Sequence, residues 1–478
     1  MKFLLFGTGD YYERYKKWFD KGEVLALLDN SAAKQNTLLD GIPVLSPQDG
    51  IELPYDAVVI LSFYVKEMRS QLIQLGVPEN KIYHFYDLHG LIYRKEKKKP
   101  IQYYGDINYE YLTEIDPKPP EKRILLLSQD LTLGGPAIAL FHAAEMLIKH
   151  GYQVVYGSML DGPLRDRLLS AGIPVIVDVN LQIETMMETD WVNSFFLLVC
   201  NTINFHIFLS ERNIDIPVIW WLHDSAFFYD GIKRETLCEL DRRNMTVCSV
   251  GPVPEKAIRE FIPDIFIRKL LYGVADQKKN GREETEKTKT VKGQQERKVC
   301  FVTIGYIEAR KGQDILVQAI QALPADIREK AVFYLVGQDS SMLAQQLKTE
   351  IQYIPEIKVT GTVGREQIND LLDNADVFVC PSREDPMPTV AAEAMMHSVP
   401  CILSDAVGTA DYVQNGIDGL LFHCGDAKEL AAKIEWCMCH LDKLHEMGGR
   451  ARKIYEKYFS MEVFEADLLN MVGLSGTV

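Results

Sequence analysis

The sequence lacks any apolar run of the roughly 18–20 residues that a helix needs to span a bilayer. Its nine cysteines show no pattern of paired short spacings, and the tight cluster at residues 437–440 has no second cysteine pair to complete a zinc site. Residues 1–6 are apolar but run directly into Gly7, which predicts a buried strand rather than a signal peptide. These absences predict a reduced, cytoplasmic protein with no dedicated metal.

Positive charge is also scarce, because 52 Lys and Arg residues stand against 67 Asp and Glu residues and leave a formal net charge of −15. A general nucleic-acid binder needs a basic surface, so no nucleic-acid partner is expected. An acidic protein can still bind an anionic nucleotide where a few cations and main-chain N–H groups converge. The length of 478 residues exceeds what one hydrophobic core supports, which predicts two or three domains.

The first predicted domain, residues 1–95, alternates strands with helices and is therefore Rossmann-like, with a parallel sheet. Its strands are predicted at residues 2–6, 24–28 and 57–61. Gly7-x-Gly9 after the first strand and Asp29 at the end of the second form a partial dinucleotide fingerprint. Tyr12 stands where the third glycine would fall, and its bulk opposes close packing of helix on strand. We expect an accessory role, and nucleotide binding in this domain stays open.

Composition divides the rest of the chain. A basic run at 94–99 and a Pro-rich stretch at 117–120 mark a linker, and a Lys-, Glu- and Gln-rich stretch with almost no apolar residues marks a connector. The predicted segments are a linker at 96–122, a domain at 123–276, the connector at 277–298, a domain at 299–464 and a tail at 465–478. Both domains open with a strand, a glycine loop and a helix, which predicts two doubly wound α/β domains facing a ligand cleft.

The most informative stretch, residues 381–394, follows a predicted buried strand at 377–380. Two prolines, Pro386 and Pro388, are excluded from a helix interior, so a helix is predicted to begin at about Thr389. The N–H groups of Thr389 and Val390, together with the helix dipole, would then be available to an anion such as a diphosphate.

Two acids flank the start of this helix. Glu393 lies one turn inside it on the same face as Thr389, within reach of a group attached to the anion, such as a ribose diol. Asp385 precedes the helix and directs a second carboxylate at the same place. Taken alone, Asp385 could be a turn residue and Glu393 a solvent-facing helix residue.

A second glycine loop at residues 305–312 directly follows the predicted strand at 299–303. It opens with Gly305 and carries the adjacent cations Arg310 and Lys311. The alternative is a solvated pair of cations on a surface loop. The position after the first strand of the domain favours a phosphate-binding role.

From about residue 123 to residue 464 the sequence resembles the retaining glycosyltransferases of the GT-B fold, in the group related to glycogen and sucrose-phosphate synthases. That group carries two acids with the spacing of Asp385 and Glu393. The resemblance implies that Asp385 contacts the transferred sugar and Glu393 the nucleotide ribose. The first acid is usually Glu, so Asp385 departs from the pattern and the neighbouring Glu384 offers an alternative register. Prolines replace the glycines that usually follow the first acid.

The same resemblance implies a diphosphate clamp in the 305–312 loop. Lys311 matches the lysine of the family motif, whereas Tyr306 stands where the family has an arginine. Arg310 is the expected substitute for that arginine. The loop at residues 408–413 aligns with a family loop that often ends in Glu, which makes Asp411 a weaker donor-site candidate.

In the domain at 123–276, Gly134 and Gly135 resemble the glycine loop of the family's first domain, where main chain can approach donor phosphates or acceptor. Ordinary turn chemistry is the alternative. His223 matches a recurrent family histidine near the outer hydroxyls of the sugar.

The resemblance thus implies transfer of a sugar from a nucleoside diphosphate sugar to a glycan, lipid-linked or protein acceptor, in bacterial surface polysaccharide or glycoconjugate synthesis. No cofactor and no metal are implied. Peripheral association with the inner face of the membrane, or with other glycan-synthesis proteins, is left open. Two other readings remain: a nucleotide-sugar epimerase or phosphorylase on the same architecture, and a non-catalytic scaffold that binds sugar nucleotides.

Overall fold

The computed structural model describes residues 1–19, 22–62, 64–84, 98–106, 122–230, 232, 234–278, 297–339 and 341–475. The predicted end of the first domain at 85–95, the Pro-rich stretch at 117–120 and most of the predicted connector lie outside the described residues. The chain divides into two compact units. The first contains Met1–Ser249, Pro254–Leu270 and the chain from Asp467, and the second contains Val250–Val253 and Leu271–Ala466.

The N-terminal sheet has six strands in the order β3-β4-β2-β1-β5-β6, all parallel except for the antiparallel pair β3 and β4. The strands are β1 (Lys2–Phe6), β2 (Glu23–Leu28), β3 (Thr37–Leu39), β4 (Ile42–Leu45), β5 (Ala57–Ile60) and β6 (Ile82–His84). Its α-helices are Asp10–Tyr15, Pro47–Gly50 and Val65–Gln74.

The second sheet, also in the first unit, has eight strands in the order β14-β13-β12-β11-β8-β9-β10-β7, with only β7 antiparallel. Its strands are β7 (Gln102–Tyr104), β8 (Arg123–Asp130), β9 (Gln153–Leu160), β10 (Val175–Val177), β11 (Leu197–Asn201), β12 (Val218–Leu222), β13 (Met245–Ser249) and β14 (Ile267–Lys269). The α-helices of this stretch of chain are Gly135–Lys149, Leu164–Ser170, His206–Ser210, Arg234–Cys238 and Pro252–Phe261.

The third sheet, in the second unit, is wholly parallel with the order β17-β16-β15-β18-β19-β20. Its strands are β15 (Val299–Ile304), β16 (Ala331–Val336), β17 (Ile357–Gly361), β18 (Val377–Cys380), β19 (Cys401–Ser404) and β20 (Leu420–Phe422). The α-helices of this stretch are Gln313–Ala322, Ala325–Arg328, Met342–Ile351, Arg365–Asn374, Thr389–Met396, Ala427–Cys439, Leu441–Ile454 and Met461–Ser475.

The central strands are buried on both faces, which explains why their sequences are continuous apolar runs rather than alternating ones. Every residue of Ala57–Ile60 and of Val218–Leu222 is fully buried. Burying one such Val, Leu or Ile side chain contributes about 1.5–3 kcal/mol. Three apolar cores result, one around each sheet. The predicted fold class, two doubly wound domains preceded by a smaller Rossmann-like domain, is confirmed.

Each doubly wound sheet reverses its strand order beside its first strand. In the second sheet the reversal lies between β8 and β11, and in the third between β15 and β18. Loops that leave the carboxyl ends of two strands at such a point diverge to opposite faces and leave a crevice, where open α/β sheets bind ligands. The fold therefore directs attention to the loops after β15 and β18.

The segment predicted as a linker at 96–122 contributes to the second sheet. Gln102–Tyr104 pairs with Val175–Val177 as an antiparallel edge strand. Just before it, Lys98 forms an ion pair of 2.9 Å with Glu184. Residues 102–104 within the predicted linker thus form an edge strand of this sheet, because a sheet edge offers unpaired N–H and C=O groups to an adjacent extended chain.

Asp29, the acidic residue of the partial dinucleotide fingerprint, is bound by other residues of the same domain. The Asp29 carboxylate accepts hydrogen bonds from the Thr8 hydroxyl and, at 2.8 Å, from the Ser31 N–H, and it lies 3.2 Å from Lys34 Nζ. Burial is the largest single influence on the pKa of Asp29 and raises it. The hydrogen bonds and the ion pair together outweigh burial, so the pKa is lowered. Tyr12 is buried in the core and donates to Asp40 at 3.1 Å.

Candidate active site

The candidate site of the second unit is built from loops 305–312 and 381–388, which leave the adjacent strands β15 and β18. Gly312 makes their contact possible: its φ is +68°, and a Cβ there would lie 2.1 Å from the Pro381 carbonyl oxygen. The Arg383 N–H donates to the Arg310 carbonyl oxygen at 2.8 Å. The Arg383 guanidinium also binds both oxygens of Asp314, at 2.8 and 2.6 Å. The two loops are thus fixed to each other.

The two predicted cations converge on the first predicted acid. Lys311 Nζ donates to Asp385 Oδ2, and Arg310 Nη1 lies 3.9 Å from the same oxygen. Arg310 Nη1 also donates to the carbonyl oxygen of Glu384 at 3.2 Å, so Glu384 meets the cation through its main chain. Asp385 is only 6% exposed, and a buried carboxylate requires such partners. The two cations and Asp385 are therefore gathered at the carboxyl ends of β15 and β18.

Arg310 and Lys311 are positioned by the loop that carries them. They lie in a single 3-10 turn, Ala309–Lys311. Arg310 donates from Nη2 and Nε to Glu308 Oε1, at 2.9 and 3.2 Å. The stem of Lys311 passes over Gly305, where an added Cβ would lie 3.8 Å from its Cδ and Cε. That separation is ordinary van der Waals contact, so the lysine stem packs on the loop, and it is the φ of +151° at Gly305 that favours glycine there.

The helix Thr389–Met396 begins at the predicted residue, directly after Pro388. No side chain caps its start in the described structure, and Thr389 and Val390 are half-buried. The first N–H groups of a helix have no partner inside it and carry the positive end of its dipole. This start lies four residues after Asp385, the residue that binds Lys311, and so provides anion-binding N–H groups close in sequence to the two cations.

Glu393 is buried one turn inside this helix and is 6% exposed. Its Oε1 accepts from Arg365 Nη1 at 2.8 Å, whereas its Oε2 has no hydrogen-bond partner among the described residues. A buried carboxylate oxygen without a partner is costly unless a ligand donates to it. Arg365 reaches it from the first residue of the helix Arg365–Asn374 and is about half exposed.

The loop after β19 closes on the same place. The Gly408 N–H donates to the Asp385 carbonyl oxygen at 2.9 Å, and a Cβ at Gly408 would lie 1.9 Å from the Pro386 carbonyl oxygen. Only glycine permits this approach. Asp411, in the same 3-10 segment, has an exposed side chain. The loop thus contacts the site through its main chain at Gly408, while Asp411 faces solvent.

The remaining predicted residues belong to the first unit. Gly134 is the N-cap of the helix Gly135–Lys149 and donates its N–H to Thr132 Oγ1 at 3.4 Å, while Gly135 is exposed. His223 follows β12, is 7% exposed and packs its ring 4.3 Å from that of Trp221.

Burial shifts the titration of two neighbours at the end of β12 in opposite directions. Desolvation lowers the pKa of His223 to about 3, and its Nε2 has no hydrogen-bond partner in the described structure. Desolvation raises the pKa of Asp224 to about 7, against the opposing effect of the Ile203 N–H that donates to its Oδ2 at 2.6 Å. His223 is therefore neutral at pH 7.

Comparison with known families connects these loops to a chemistry. Residues 284–454 match the family model for glycosyl transferases group 1, and residues 120–247 match that for glycosyl-transferase family 4. The first match contains every site loop of the second unit described above. The part of the chain that carries the site is therefore a glycosyltransferase domain of group 1. Residues 1–83 match a separate model, C2185-like, N-terminal.

One relative of this glycosyltransferase matches most of its length at low identity, and another matches about a third of it. Spore coat protein SA of Bacillus subtilis is 23% identical over 362 residues, which are 71% of this chain and 94% of that protein. The alpha-maltose-1-phosphate synthase of Mycolicibacterium smegmatis is 30% identical over 172 residues, 33% of this chain and 43% of that enzyme.

Solved structures show the same GT-B fold. HepE of Anabaena, crystallised with UDP and glucose, superposes with a TM-score of 0.60 at 19% identity over 74% of this chain and 100% of its own. The sucrose-phosphate synthase of Thermosynechococcus elongatus superposes with a TM-score of 0.58 at 18% identity over 74% of this chain and 98% of its own.

Two site features of the glycosyltransferase escaped sequence reasoning. Arg365 contacts Glu393 from 28 residues away, and no local pattern distinguishes it from other surface arginines. Gly408 lies in the loop at 408–413 that resembles a family loop. Its contact with Asp385 depends on a close backbone approach that leaves no local sequence signal. Within the described residues, no cluster of three or more His, Cys, Asp or Glu could hold a metal ion. No described helix combines the length and the apolar character that crossing a membrane requires.

Proposed function

We propose that this glycosyltransferase transfers a sugar from a nucleoside diphosphate sugar to an acceptor hydroxyl with retention of anomeric configuration. The observation that carries the proposal is the convergence of Arg310 and Lys311 on Asp385, four residues before the uncapped start of the Thr389 helix. Two cationic side chains and a helix N-terminus supply the hydrogen-bond donors that the oxygens of a diphosphate accept from. The complex of HepE with UDP and glucose, in a protein of the same fold, agrees with such a donor.

The diphosphate is the leaving group in this reaction, so negative charge grows on it in the transition state. Donors already fixed in place stabilise that charge without reorganisation. Lys311 is held by Asp385, and an ammonium carries three N–H donors, so the contact with Asp385 leaves two for phosphate oxygens. Arg310 is fixed by Glu308 and by the Glu384 carbonyl oxygen.

Glu393 would bind the ribose of the donor. Its buried Oε2 needs a hydrogen-bond donor, and a ribose hydroxyl supplies one. Asp385 would contact the transferred sugar, and His223, neutral and buried at the end of β12, would contact its outer hydroxyls. Thr389, Val390 and Gly135 would offer main-chain N–H groups to the donor, and Gly134, whose N–H binds Thr132 Oγ1, would let the main chain approach it. Asp411 stays a weaker donor-site candidate because its side chain is exposed.

In the reaction the bond between the anomeric carbon and the phosphate oxygen breaks, and a bond to the acceptor oxygen forms on the same face. The acceptor proton passes to the departing phosphate oxygen. The two cations supply the charge stabilisation that a metal would otherwise give, so the proposed reaction needs neither metal nor cofactor. The acceptor would be a glycan, a lipid-linked sugar or a protein, in cytoplasmic synthesis of a bacterial surface polysaccharide or glycoconjugate.

The test is a panel of nucleoside diphosphate sugars incubated with candidate acceptors, with product structure determined by NMR. We expect one donor to yield a glycoside of unchanged anomeric configuration, and both Lys311→Ala and Glu393→Gln to lose most of that activity. Inverted product would overturn the retaining mechanism. An isomerised donor without acceptor would indicate an epimerase, and tight donor binding without turnover would indicate a scaffold. Full activity in both variants would refute the site assignment.

A further inference from the structure

The short turn Ala226–Phe228, which follows β12, joins two hydrophobic cores of the first unit. Phe227 is 6% exposed and belongs to the core of the N-terminal sheet, although it lies far from that domain in sequence. Phe228 packs against that core and also against the core of the second sheet. The two rings lie 4.2 Å apart. The turn is thus a bridge between the N-terminal domain and the glycosyltransferase fold.

On the N-terminal side the contact is made by His84, the last residue of β6. Its ring is 1% exposed and meets Phe227 edge-to-face, with ring centroids 6.3 Å apart. Desolvation lowers the pKa of His84 to about 3, so the ring is neutral at pH 7 and behaves as an aromatic partner. Truncating either ring would leave a cavity in a buried contact.

On the other side, the bridge continues directly into the loop that carries His223 and Asp224. Residues 223–225 are all buried, and the Phe228 N–H donates to the Ser225 carbonyl oxygen at 3.1 Å. The Asp224 carboxylate in turn holds the Ile203 N–H at the end of β11. Only three residues, 224–226, therefore separate His223 from Phe227, a side chain anchored in the core of the N-terminal sheet.

We propose that the N-terminal domain positions the His223 loop for catalysis, with Phe227 and His84 as its positioning residues. The first part of this proposal is that the contact orders residues 223–229, and it does not depend on the proposed function. The catalytic part rests on the proposed function, in which His223 contacts the donor sugar. A misplacement of about 1 Å at such a contact can lower a rate about 100-fold, so the domain sets turnover without touching substrate.

The test uses the full chain with Phe227→Ala and His84→Ala, which remove the contact from opposite sides. Both are expected to lower kcat at least about tenfold while leaving donor KM and the Kd for UDP unchanged. His84→Phe, which keeps a ring at the contact, should restore turnover. In a His223→Ala background, Phe227→Ala should cause no further loss, because the positioned group is already gone.

The matched control is Val44→Ala, which also opens a cavity in the N-terminal core. It lies on β4, separated from β6 by three strands. It should lower the melting temperature as Phe227→Ala does, yet leave kcat unchanged. If Val44→Ala lowers kcat equally, or if Phe227→Ala and His223→Ala are additive, the positioning role is refuted and the contact is merely structural.

Hydrogen exchange separates this inference from the proposed reaction. Phe227→Ala and His84→Ala should each speed amide exchange across residues 223–229, and Val44→Ala should not. Faster exchange with no transferase activity in the wild-type chain would contradict the proposed function while supporting the structural contact. Unchanged exchange in that segment would overturn the inference even if the transferase activity is found.

Discussion

The second and third sheets reverse their strand order in the same way, but the loops at their carboxyl ends differ in basic side chains. In the second unit, loops 305–312 and 381–388 carry Arg310, Lys311 and Arg383. In the first unit, the loops after β8, β11 and β12, at residues 130–135, 202–204 and 223–225, contain no Lys or Arg. Their ionisable groups include the buried pair His223 and Asp224. Among these compared loops, the basic side chains lie at the carboxyl ends of β15 and β18, which we call the charged edge, and the loops after β8, β11 and β12 offer main chain, hydroxyl and imidazole groups and two carboxyl groups instead.

The largest effect is expected from removing Lys311, a cation of the charged edge. Lys311→Ala should lower kcat/KM for transfer about 100- to 1,000-fold, because a fixed donor to the leaving group is lost. Steady-state kinetics with the identified donor measure the loss. Lys358→Ala, which removes an exposed cation from the same domain, is the control and should retain activity. Equal activity in the Lys311→Ala and Lys358→Ala variants would contradict the role of Lys311 as a donor to the leaving group.

A ribose-specific effect is expected next in size. Glu393→Gln and Arg365→Ala should each weaken binding of UDP about tenfold or more, because a charge-assisted hydrogen bond is lost or loosened. Calorimetry with UDP and with its 2′,3′-dideoxy analogue measures the change. Both variants should bind the analogue as the wild type does, and the double variant should be no worse than Glu393→Gln. Glu366→Ala, next to Arg365, is the control, and a loss that persists with the analogue would move the ribose elsewhere.

A smaller effect is expected in the pH dependence of stability, from Asp224 at the end of β12. The folded-state pKa of Asp224 is about 7 against an ordinary 3.8, so its protonated form stabilises the fold. That contribution is complete below pH 3.8 and is lost as pH rises through 7. Asp224→Asn cannot ionise, so its free energy of unfolding should gain on the wild type by on the order of 2 kcal/mol between pH 5 and 8.

Urea unfolding of the wild type and of Asp224→Asn at pH 5, 6, 7 and 8 measures this gain. Asp241→Asn is the control, since Asp241 pairs with Arg243 and its pKa is lowered to about 2. If the free energies of unfolding of Asp224→Asn and wild type differ by a constant amount over this range, the Asp224 side chain is solvated in the folded state.

The smallest effect is expected from metal removal. The charged edge already places two cations where the leaving group would lie, so excess EDTA should leave the transfer rate unchanged. Adding Mg²⁺ back should have no effect beyond ionic strength. A rate that falls with EDTA and returns with Mg²⁺ would show that side-chain cations alone do not supply the charge at this edge.

Much of the fold is readable from local sequence because its elements are locally determined. The central strands are uninterrupted apolar runs, and the helix at Thr389 begins where Pro388 forces it to begin. Three of the strands that escaped prediction, β6, β7 and β14, are three residues long and carry polar side chains. Their pairing depends on a neighbouring strand rather than on their own pattern.

The site is harder to predict from sequence, because its contacts also depend on residues that are distant along the chain. The glycine loops and the acid spacing direct attention to the correct sheet edge, but contacts between distant residues leave no local signal. Arg365 with Glu393 and Phe227 with His84 are examples, since each pair is formed by tertiary packing. The self-occupied Asp29 is another: its sequence pattern is that of a ribose ligand, and only the coordinates reveal Thr8 and Lys34 on its carboxylate.

The most direct test is a crystal structure of the chain with the nucleoside diphosphate of its donor. The account predicts the terminal phosphate within hydrogen-bond distance of Lys311 Nζ and of the Thr389 or Val390 N–H, with a ribose hydroxyl on Glu393 Oε2. A diphosphate bound elsewhere, with Glu393 Oε2 still lacking a donor, would contradict it.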